Sequence, residues 1–141
     1  MKTILIDINV FLDYLFQRGE YESAKIVLGL CFEKKLRGCV CAHEITTLSY
    51  FLERENKSRS ENIGILSKIL AAFQVLEVNK SILERALFSG IKDYEDAVIV
   101  ESARKNGVEY IISENTDDFL ESSVQTVTAR AFCDMEKLAT S

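Results

Sequence analysis

The order of the predicted elements constrains the fold more than any other feature of the sequence. Short apolar runs, such as residues 3–6 and 110–112, alternate along the chain with helical segments. A continuous apolar run is typical of a parallel strand buried on both faces, and a helix between two such strands provides the crossover. The sequence therefore predicts a three-layer α/β/α sandwich with a central parallel sheet.

Local patterns place each element. The predicted strands cover residues 3–6, 38–41, 75–78, 110–112 and 124–127, and the predicted helices cover 10–16, 20–35, 43–54, 58–73, 81–88, 94–106 and 128–138. The chain has 141 residues, no Pro and six scattered Gly. We therefore expect a single domain over residues 1–141, with no linker.

The N-terminal apolar run is too short for a targeting segment. Asp7 interrupts it after three apolar residues, and no other run approaches the roughly 18 residues that span a bilayer. The four Cys lack the paired spacing of a zinc site and lie in apolar surroundings: Cys31, Cys39, Cys41 and Cys133. We expect a cytoplasmic protein without membrane association, whose thiols are reduced and structural.

The negative charge is concentrated in one segment. Residues 93–121 carry nine Asp and Glu against two Lys and Arg, a net charge of −7, whereas residues 1–92 carry eleven against thirteen, a net charge of +2. An acidic surplus repels nucleic acid. The segment is therefore either a solvated face, which is the usual explanation, or a site where cations offset the charge.

Asp7 directly follows the first predicted strand and precedes a helix. Ligands of open α/β sheets bind beyond the carboxyl ends of the strands, where the strand order reverses. Asp is also a favourable N-cap residue, so Asp7 alone does not distinguish a ligand site from a helix cap.

A second acidic group begins the helix predicted at 94–106. Asp93 has the position and residue type of an N-cap, and Glu95 lies in the first turn, where a negative charge is favourable. Asp96 is harder to explain as a cap because it lies beside an apolar stripe. A carboxylate there is costly unless it is paired or binds a cation.

A third polar group follows the strand at 110–112 and contains Ser113, Glu114, Asn115, Asp117 and Asp118. Oxygen ligands without His or Cys suit Mg²⁺ or Mn²⁺. Such cations lower the pKa of a bound water and stabilise the charge on a phosphodiester under in-line attack.

Three segments together resemble the PIN domain family. Residues 4–13, Ile-Leu-Ile-Asp-Ile-Asn-Val-Phe-Leu-Asp, resemble the family's opening pattern of apolar residues, D-x-N, three apolar residues and D. Residues 93–97 look like its D-F-E-D-A helix start, and residues 113–119 look like its T-R-N-x-x-D-F segment. The matches follow the family's order and spacing, and the resemblance covers essentially the whole chain.

The resemblance implies a site and an activity. Asp7 and Asp96 would be metal ligands, and Asn115 and Asp118 would complete the site. The implied supporting residues are Asn9, which would orient the first turn, Ser113, which would hold Asp7, and Asp93 and Asp117. The family's usual role is that of a Mg²⁺- or Mn²⁺-dependent endoribonuclease, often the toxin of a VapC-type toxin–antitoxin pair. We therefore expect an RNA substrate, an antitoxin partner and a homodimer.

The sequence departs from the family at two positions. Many members have a Glu six residues after the second strand, where this chain has Thr47. Glu44 lies about one turn earlier, and it either serves as the missing ligand, completing a catalytic set with Asp7, Asp96 and Asp118, or caps its own helix. Glu114 stands where the family often has Arg, which removes a phosphate contact.

Other motifs give weaker indications. His43-Glu44 lacks the second His of a zinc-protease motif, and His43, the only His of the chain, is expected at the surface or at a cap. No phosphate-binding Gly-rich loop occurs. Basic residues cluster at 34–37 and at Arg54, Lys57 and Arg59, either as solvated helix ends or as contacts to RNA phosphates.

Two other functions fit parts of the pattern. One is a PIN-like module that has been catalytically weakened by the changes at Thr47 and Glu114 and serves in RNA binding or assembly. The other is a phosphatase or response-regulator-like pocket in which an Asp becomes phosphorylated.

Overall fold

The computed structural model describes residues 1–138. Five strands are present: β1 (Thr3–Ile6), β2 (Arg37–Cys41), β3 (Gln74–Leu76), β4 (Tyr110–Ile112) and β5 (Gln125–Val127). Seven helices accompany them: α1 (Ile8–Leu15), α2 (Tyr21–Phe32), α3 (Ala42–Arg54), α4 (Arg59–Ala72), α5 (Lys80–Leu87), α6 (Tyr94–Lys105) and α7 (Ala129–Met135). A 3₁₀ turn covers Thr116–Phe119.

The strands form one parallel sheet in the order β3-β2-β1-β4-β5. The chain moves outwards from β1 through β2 to β3, then returns past β1 to form β4 and β5. The strand order therefore reverses between β1 and β4. This is the position at which α/β sheets of this type bind ligands.

Alternate residues of the three central strands, β1, β2 and β4, contribute to two separate cores. Ile4 and Ile6 of β1 pack in a core with buried side chains of α1, α2, α3, α4 and α7. Leu5 points to the other face and packs with buried side chains of α5 and α6. Because both faces of the sheet are covered at its centre, β1 and β4 consist mainly of apolar residues, whereas the edge strands β3 and β5 contain exposed polar residues. The predicted three-layer α/β/α sandwich is confirmed.

Two predicted helices end earlier than expected. Helix α2 ends at Phe32 rather than at residue 35, and α7 ends at Met135 rather than at residue 138. Lys34 and Lys137, just beyond these ends, have φ values of 62° and 56°, in the left-handed region that closes a helix. The last three residues of the predicted domain, 139–141, lie outside the described residues.

The prediction of α1 was also wrong by two residues. The helix begins at Ile8, directly after β1, rather than at Val10. Helices α3 and α6 begin at the same edge of the sheet, after Cys41 and Asp93 respectively. The amino ends of three helices therefore surround the carboxyl ends of the central strands.

All four Cys are free and buried. Burial raises the pKa of Cys31 and Cys41 to about 12 and the pKa of Cys39 to about 11. These positions agree with the prediction of structural thiols. None of the helices in residues 1–138 combines the length and the apolar character needed to cross a membrane.

Gly38 of β2 allows a close approach between the sheet and the aromatic core. A Cβ atom at this position would lie 2.6 Å from Cε1 of Phe73 and 2.8 Å from Sγ of Cys31. We predict that Gly38→Ala lowers the free energy of unfolding by about 1–3 kcal/mol, because the core must shift to admit the methyl group. Urea denaturation provides the measurement.

Gly64 in α4 is the matched control because a Cβ there would meet nothing within 4 Å. Gly64→Ala should raise the free energy of unfolding by about 0.5–1 kcal/mol, since Ala loses less conformational freedom in a helix. Equal effects of the two substitutions would contradict the packing described around Gly38.

Candidate metal centre

Asp7 and Ser113 meet where the strand order reverses. Ile6 of β1 pairs with Ile112 of β4, so the residues that follow the two strands are neighbours. Ser113 Oγ donates a 2.7 Å hydrogen bond to Oδ2 of Asp7, and both residues are buried. Although Asp7 occupies the N-cap position of α1, its side chain makes no cap hydrogen bond. The alternative that Asp7 merely caps α1 is therefore wrong.

Further hydrogen bonds hold this junction. The backbone N–H of Asp7 donates to the Ile112 carbonyl at 3.0 Å. Ser113 Oγ also accepts from the backbone N–H of Asn115 at 3.1 Å, so one hydroxyl joins the Asp7 carboxylate to the loop after β4. Asn9 Nδ2 donates a long hydrogen bond of 3.4 Å to Oδ2 of Asp7.

Glu44 reaches Asp7 from the first turn of α3. Its side chain is 1% exposed. Oε1 accepts from the backbone N–H of Ile8, the residue after Asp7, at 3.5 Å. Oε2 is buried and has no hydrogen-bond partner within residues 1–138. Glu44 thus contacts the amino end of α1 and does not cap its own helix.

Thr47 has a different environment. Its Oγ1 donates to the carbonyl of His43 at 3.3 Å, within its own helix. Of the two candidate positions on α3, the structure brings Glu44, and not Thr47, against Asp7.

Asp93 and Asp96 approach from the start of α6. Oδ1 of Asp93 accepts from the backbone N–H of Asp96 at 3.1 Å, which is the predicted N-cap. Asp96 is half-buried. Burial raises its pKa, and the negative charges of Asp93, Asp7, Asp118 and Glu95 raise it further, so these carboxylates interact electrostatically.

The loop after β4 contributes unequally. Asp118 lies in the 3₁₀ turn, and its backbone N–H donates to the Asn115 carbonyl at 3.0 Å. The side chains of Asn115 and Asp117 are exposed, and within the described part of the chain neither makes a side-chain hydrogen bond to Asp7 or Asp96. The side chain of Asp118 is exposed as well, but its charge raises the pKa of Asp96. In the described residues no such interaction joins Asn115 or Asp117 to the other carboxylates.

Burial and mutual repulsion perturb two of these carboxyl groups. Burial, reinforced by Glu95 and Asp7, raises the pKa of Glu44 to about 11. Burial, reinforced by Asp93, Asp7 and Asp118, raises the pKa of Asp96 to about 7. A divalent cation would reverse both effects because it favours the charged form of each carboxyl group. The oxygen donors and the unpartnered Oε2 of Glu44 therefore fit Mg²⁺ or Mn²⁺.

His43 and Glu95 also lie at this edge, and the sequence did not predict them as site residues. One ligand atom from each of His43, Glu44 and Glu95 lies within 4.8 Å of the other two. His43, expected at the surface or at a cap, is half-buried, and its Nε2 lies 3.4 Å from the Glu95 carbonyl oxygen. Their positions beside Glu44 and Asp96 in two helix first turns would have indicated them.

Glu114 has a structural contact. Its Oε1 lies 3.4 Å from the backbone N–H of Ala129, the first residue of α7, and accepts a hydrogen bond from it. Burial raises the pKa of Glu114. The residue that replaces the family's Arg thus contacts the amino end of α7.

The structure thus defines a parallel α/β/α domain with an acidic centre where its strand order reverses. The family model of the PIN domain matches residues 3–117. The chain therefore belongs to the PIN domain family, whose members are generally nucleases. No curated protein matches the sequence significantly.

Several solved structures share the fold. Mycobacterium tuberculosis VapC20, described as a sarcin-ricin loop cleaving toxin, has a TM-score of 0.64 at 16% identity, over 82% of this chain and 92% of that chain. A toxin–antitoxin complex from Klebsiella pneumoniae has a TM-score of 0.66 at 21% identity, and the match covers 89% of this chain and 97% of that chain. Rickettsia felis VapBC2, bound to a DNA fragment from its promoter, has a TM-score of 0.69 at 12% identity, and the match covers 89% of this chain and 98% of that chain. At these identities the likeness establishes the fold.

The raised pKa of Asp96 predicts a pH-dependent stability in the absence of metal. Because its pKa rises from 3.8 to about 7 on folding, the folded state retains a proton that the unfolded state has lost between these pH values. Stability should therefore fall as the pH rises from about 4 to about 7. Asp96→Asn should reduce this fall by about 1–2 kcal/mol, a value discounted for partial exposure.

Chemical denaturation of chelator-treated protein at several pH values tests this prediction. Asp134→Asn, an exposed substitution on α7, is the control and should keep the wild-type pH dependence. The raised pKa of Glu44 affects all three proteins alike, so the difference between them isolates Asp96. Identical pH profiles for wild type and Asp96→Asn would contradict the environment described for this carboxyl group.

Proposed function

We propose that this chain is an endoribonuclease that hydrolyses RNA phosphodiesters with Mg²⁺ or Mn²⁺ as its cofactor. The observation that carries the proposal is the buried carboxylate oxygen of Glu44, which has no hydrogen-bond partner and lies beside Asp7. A negative charge on a carboxyl group buried in this way is strongly unfavourable without a partner, and for that reason the pKa of Glu44 is raised to about 11. A cation held between the carboxylates of α3, β1 and α6 would remove that cost.

In this proposal, Asp7 and Asp96 bind the central cation, and Asp118 and Asn115 complete its coordination. Glu44 is the fourth catalytic carboxylate. Ser113 and Asn9 would support Asp7 through their hydrogen bonds, and Asp93 would support the amino end of α6. Asp117, which precedes Asp118 in the 3₁₀ turn, is the remaining proposed supporting residue.

Each protein group has a task in phosphodiester hydrolysis. When bound, the cation lowers the pKa of water and stabilises the charge that develops on the phosphate. Ser113 holds Asp7 in one orientation by its 2.7 Å hydrogen bond, so that the carboxylate need not reorganise. Glu44 is placed to orient the attacking water and to accept its proton. No protein nucleophile is needed.

The two basic clusters differ in their access to RNA. Lys34, Lys35 and Arg37 lie at the start of β2, at the opposite edge of the sheet from Asp7, and Lys34 Nζ donates to the Ala72 carbonyl. The cluster at Arg54 lies ten residues along α3 from Glu44, a rise of about 15 Å. We infer that this second cluster is the one that contacts phosphates of a strand leaving the acidic site.

The biological role that we propose is that of the toxin of a toxin–antitoxin pair, acting in the cytoplasm as a homodimer and controlled by an antitoxin protein. Its support is the shared fold with VapC20, described as a toxin, and with the toxin–antitoxin complex from Klebsiella pneumoniae. A short gene for a DNA-binding protein next to this one would add independent support.

Metal-dependent cleavage is the first prediction of the proposed function. Chelator-treated protein should not cleave a generic single-stranded RNA, and added Mn²⁺ should restore cleavage. Asp7→Asn and Asp96→Asn should each lower the rate by about 100-fold or more, the scale expected when an electrostatic contact at a reacting centre is lost. Gel analysis of a labelled RNA provides the rates.

Asp134→Asn removes an exposed carboxylate of α7 and should leave the rate unchanged. Activity that survives both site substitutions would contradict the assigned centre. If folded wild-type protein does not cleave RNA in Mn²⁺, the catalytically weakened binding or assembly module becomes the better description.

A second prediction separates Glu44 from Thr47. Glu44→Gln should weaken Mn²⁺ binding and cleavage by about tenfold or more, because the amide keeps the size of the side chain but removes its charge. Thr47→Val should change neither, since the Thr47 hydroxyl bonds to the His43 carbonyl. The reverse pattern in calorimetric Mn²⁺ titrations would place the family's usual ligand position at Thr47.

A further inference from the structure

We propose that His43, Glu44 and Glu95 bind a second divalent cation next to the Asp7–Asp96 position, and that this second position prefers Mn²⁺ to Mg²⁺. The proposal deepens the proposed function and rests on it, because Glu44 belongs to both positions.

Two helices bring the three side chains together. His43 and Glu44 lie in the first turn of α3, and Glu95 lies in the first turn of α6. Both helices begin at the carboxyl edge of the sheet, so their first turns face one another. One ligand atom from each residue lies within 4.8 Å of the other two, close enough for a single cation to contact all three.

Two unpartnered atoms distinguish this group from an ordinary surface cluster of charges. Glu44 is 1% exposed, and its Oε2 has no hydrogen-bond partner within residues 1–138. Nδ1 of His43 is also buried and has none in the same part of the chain. The cost of burying such atoms is removed when they bind a cation.

The contact between His43 and α6 leaves the ring ready to bind a metal. Nε2 lies 3.4 Å from the Glu95 carbonyl oxygen. When Nε2 carries the proton and donates it to this oxygen, Nδ1 keeps the lone pair that a metal requires. A backbone carbonyl commonly holds a metal-binding imidazole in this way.

The donor set determines the preferred cation. Carboxylate oxygens bind Mg²⁺ and Mn²⁺ alike, whereas an imidazole nitrogen suits transition metals and is a poor ligand for Mg²⁺. One nitrogen and two carboxylates therefore favour a transition metal, and they favour Mn²⁺ over Mg²⁺. The Asp7–Asp96 position offers oxygen ligands and lacks this preference.

Pulsed electron paramagnetic resonance tests the proposal directly. Untagged, chelator-treated protein is loaded with Mn²⁺, and the coupling of the metal to a directly bound ¹⁴N nucleus is measured. The chain contains a single His, so an imidazole coupling identifies its residue. We expect the coupling in the wild-type protein and its loss in His43→Gln.

Titrations give a second readout. His43→Gln should weaken the Mn²⁺ binding step of this position by about tenfold or more, and it should change Mg²⁺ binding by less than about twofold. Glu53→Gln, an exposed substitution on the same helix, should keep both the coupling and the Mn²⁺ affinity of the wild type.

The outcomes separate this proposal from the proposed function. Bound Mn²⁺ without nitrogen coupling in the wild-type protein would overturn the second position and leave the Asp7–Asp96 centre in place. Nitrogen coupling that depends on His43, in a protein that cleaves no RNA, would support the second position and reject the ribonuclease function.

Discussion

Burial of carboxyl groups where the strand order reverses is the constraint on which the centre depends. Asp7 and Glu44 are 4% and 1% exposed, respectively, and they approach the same backbone at the start of α1. Ser113 donates a short hydrogen bond to the Asp7 carboxylate, which stabilises its charge. Within residues 1–138, no group donates a hydrogen bond to Oε2 of Glu44. The fold thus places carboxyl groups where their ionisation is unfavourable, and such perturbed groups are common in sites that bind ligands.

The layered fold follows from local information. Apolar strands of three to five residues alternate with longer helices, and this pattern has few solutions besides a parallel sheet covered on both faces. The ends of α2 and α7 were less predictable. Both helices end because Lys34 and Lys137 take left-handed backbone conformations, and Lys, unlike Gly, gives no sequence indication of such a conformation.

The site was predictable where it depends on strand register and less so where it depends on helix packing. Asp7 and Ser113 follow paired strands, so their contact is a consequence of the sheet. The choice between Glu44 and Thr47 depended on the rotation of α3, which the family pattern left open. His43 and Glu95 were missed because their proximity depends on the approach of α3 to α6, two helices that are far apart in sequence.

The convergence of α1, α3 and α6 on one edge has an electrostatic consequence. The amino end of a helix carries roughly half a positive charge, because its first N–H groups have no partner within the helix. Three such ends partly offset the carboxylates while no cation is bound. Once cations neutralise the carboxylates, the same helix dipoles attract anions, such as the phosphate of a nucleic acid backbone. One arrangement of helices would therefore suit the pocket first to the proposed cations and then to an anionic substrate.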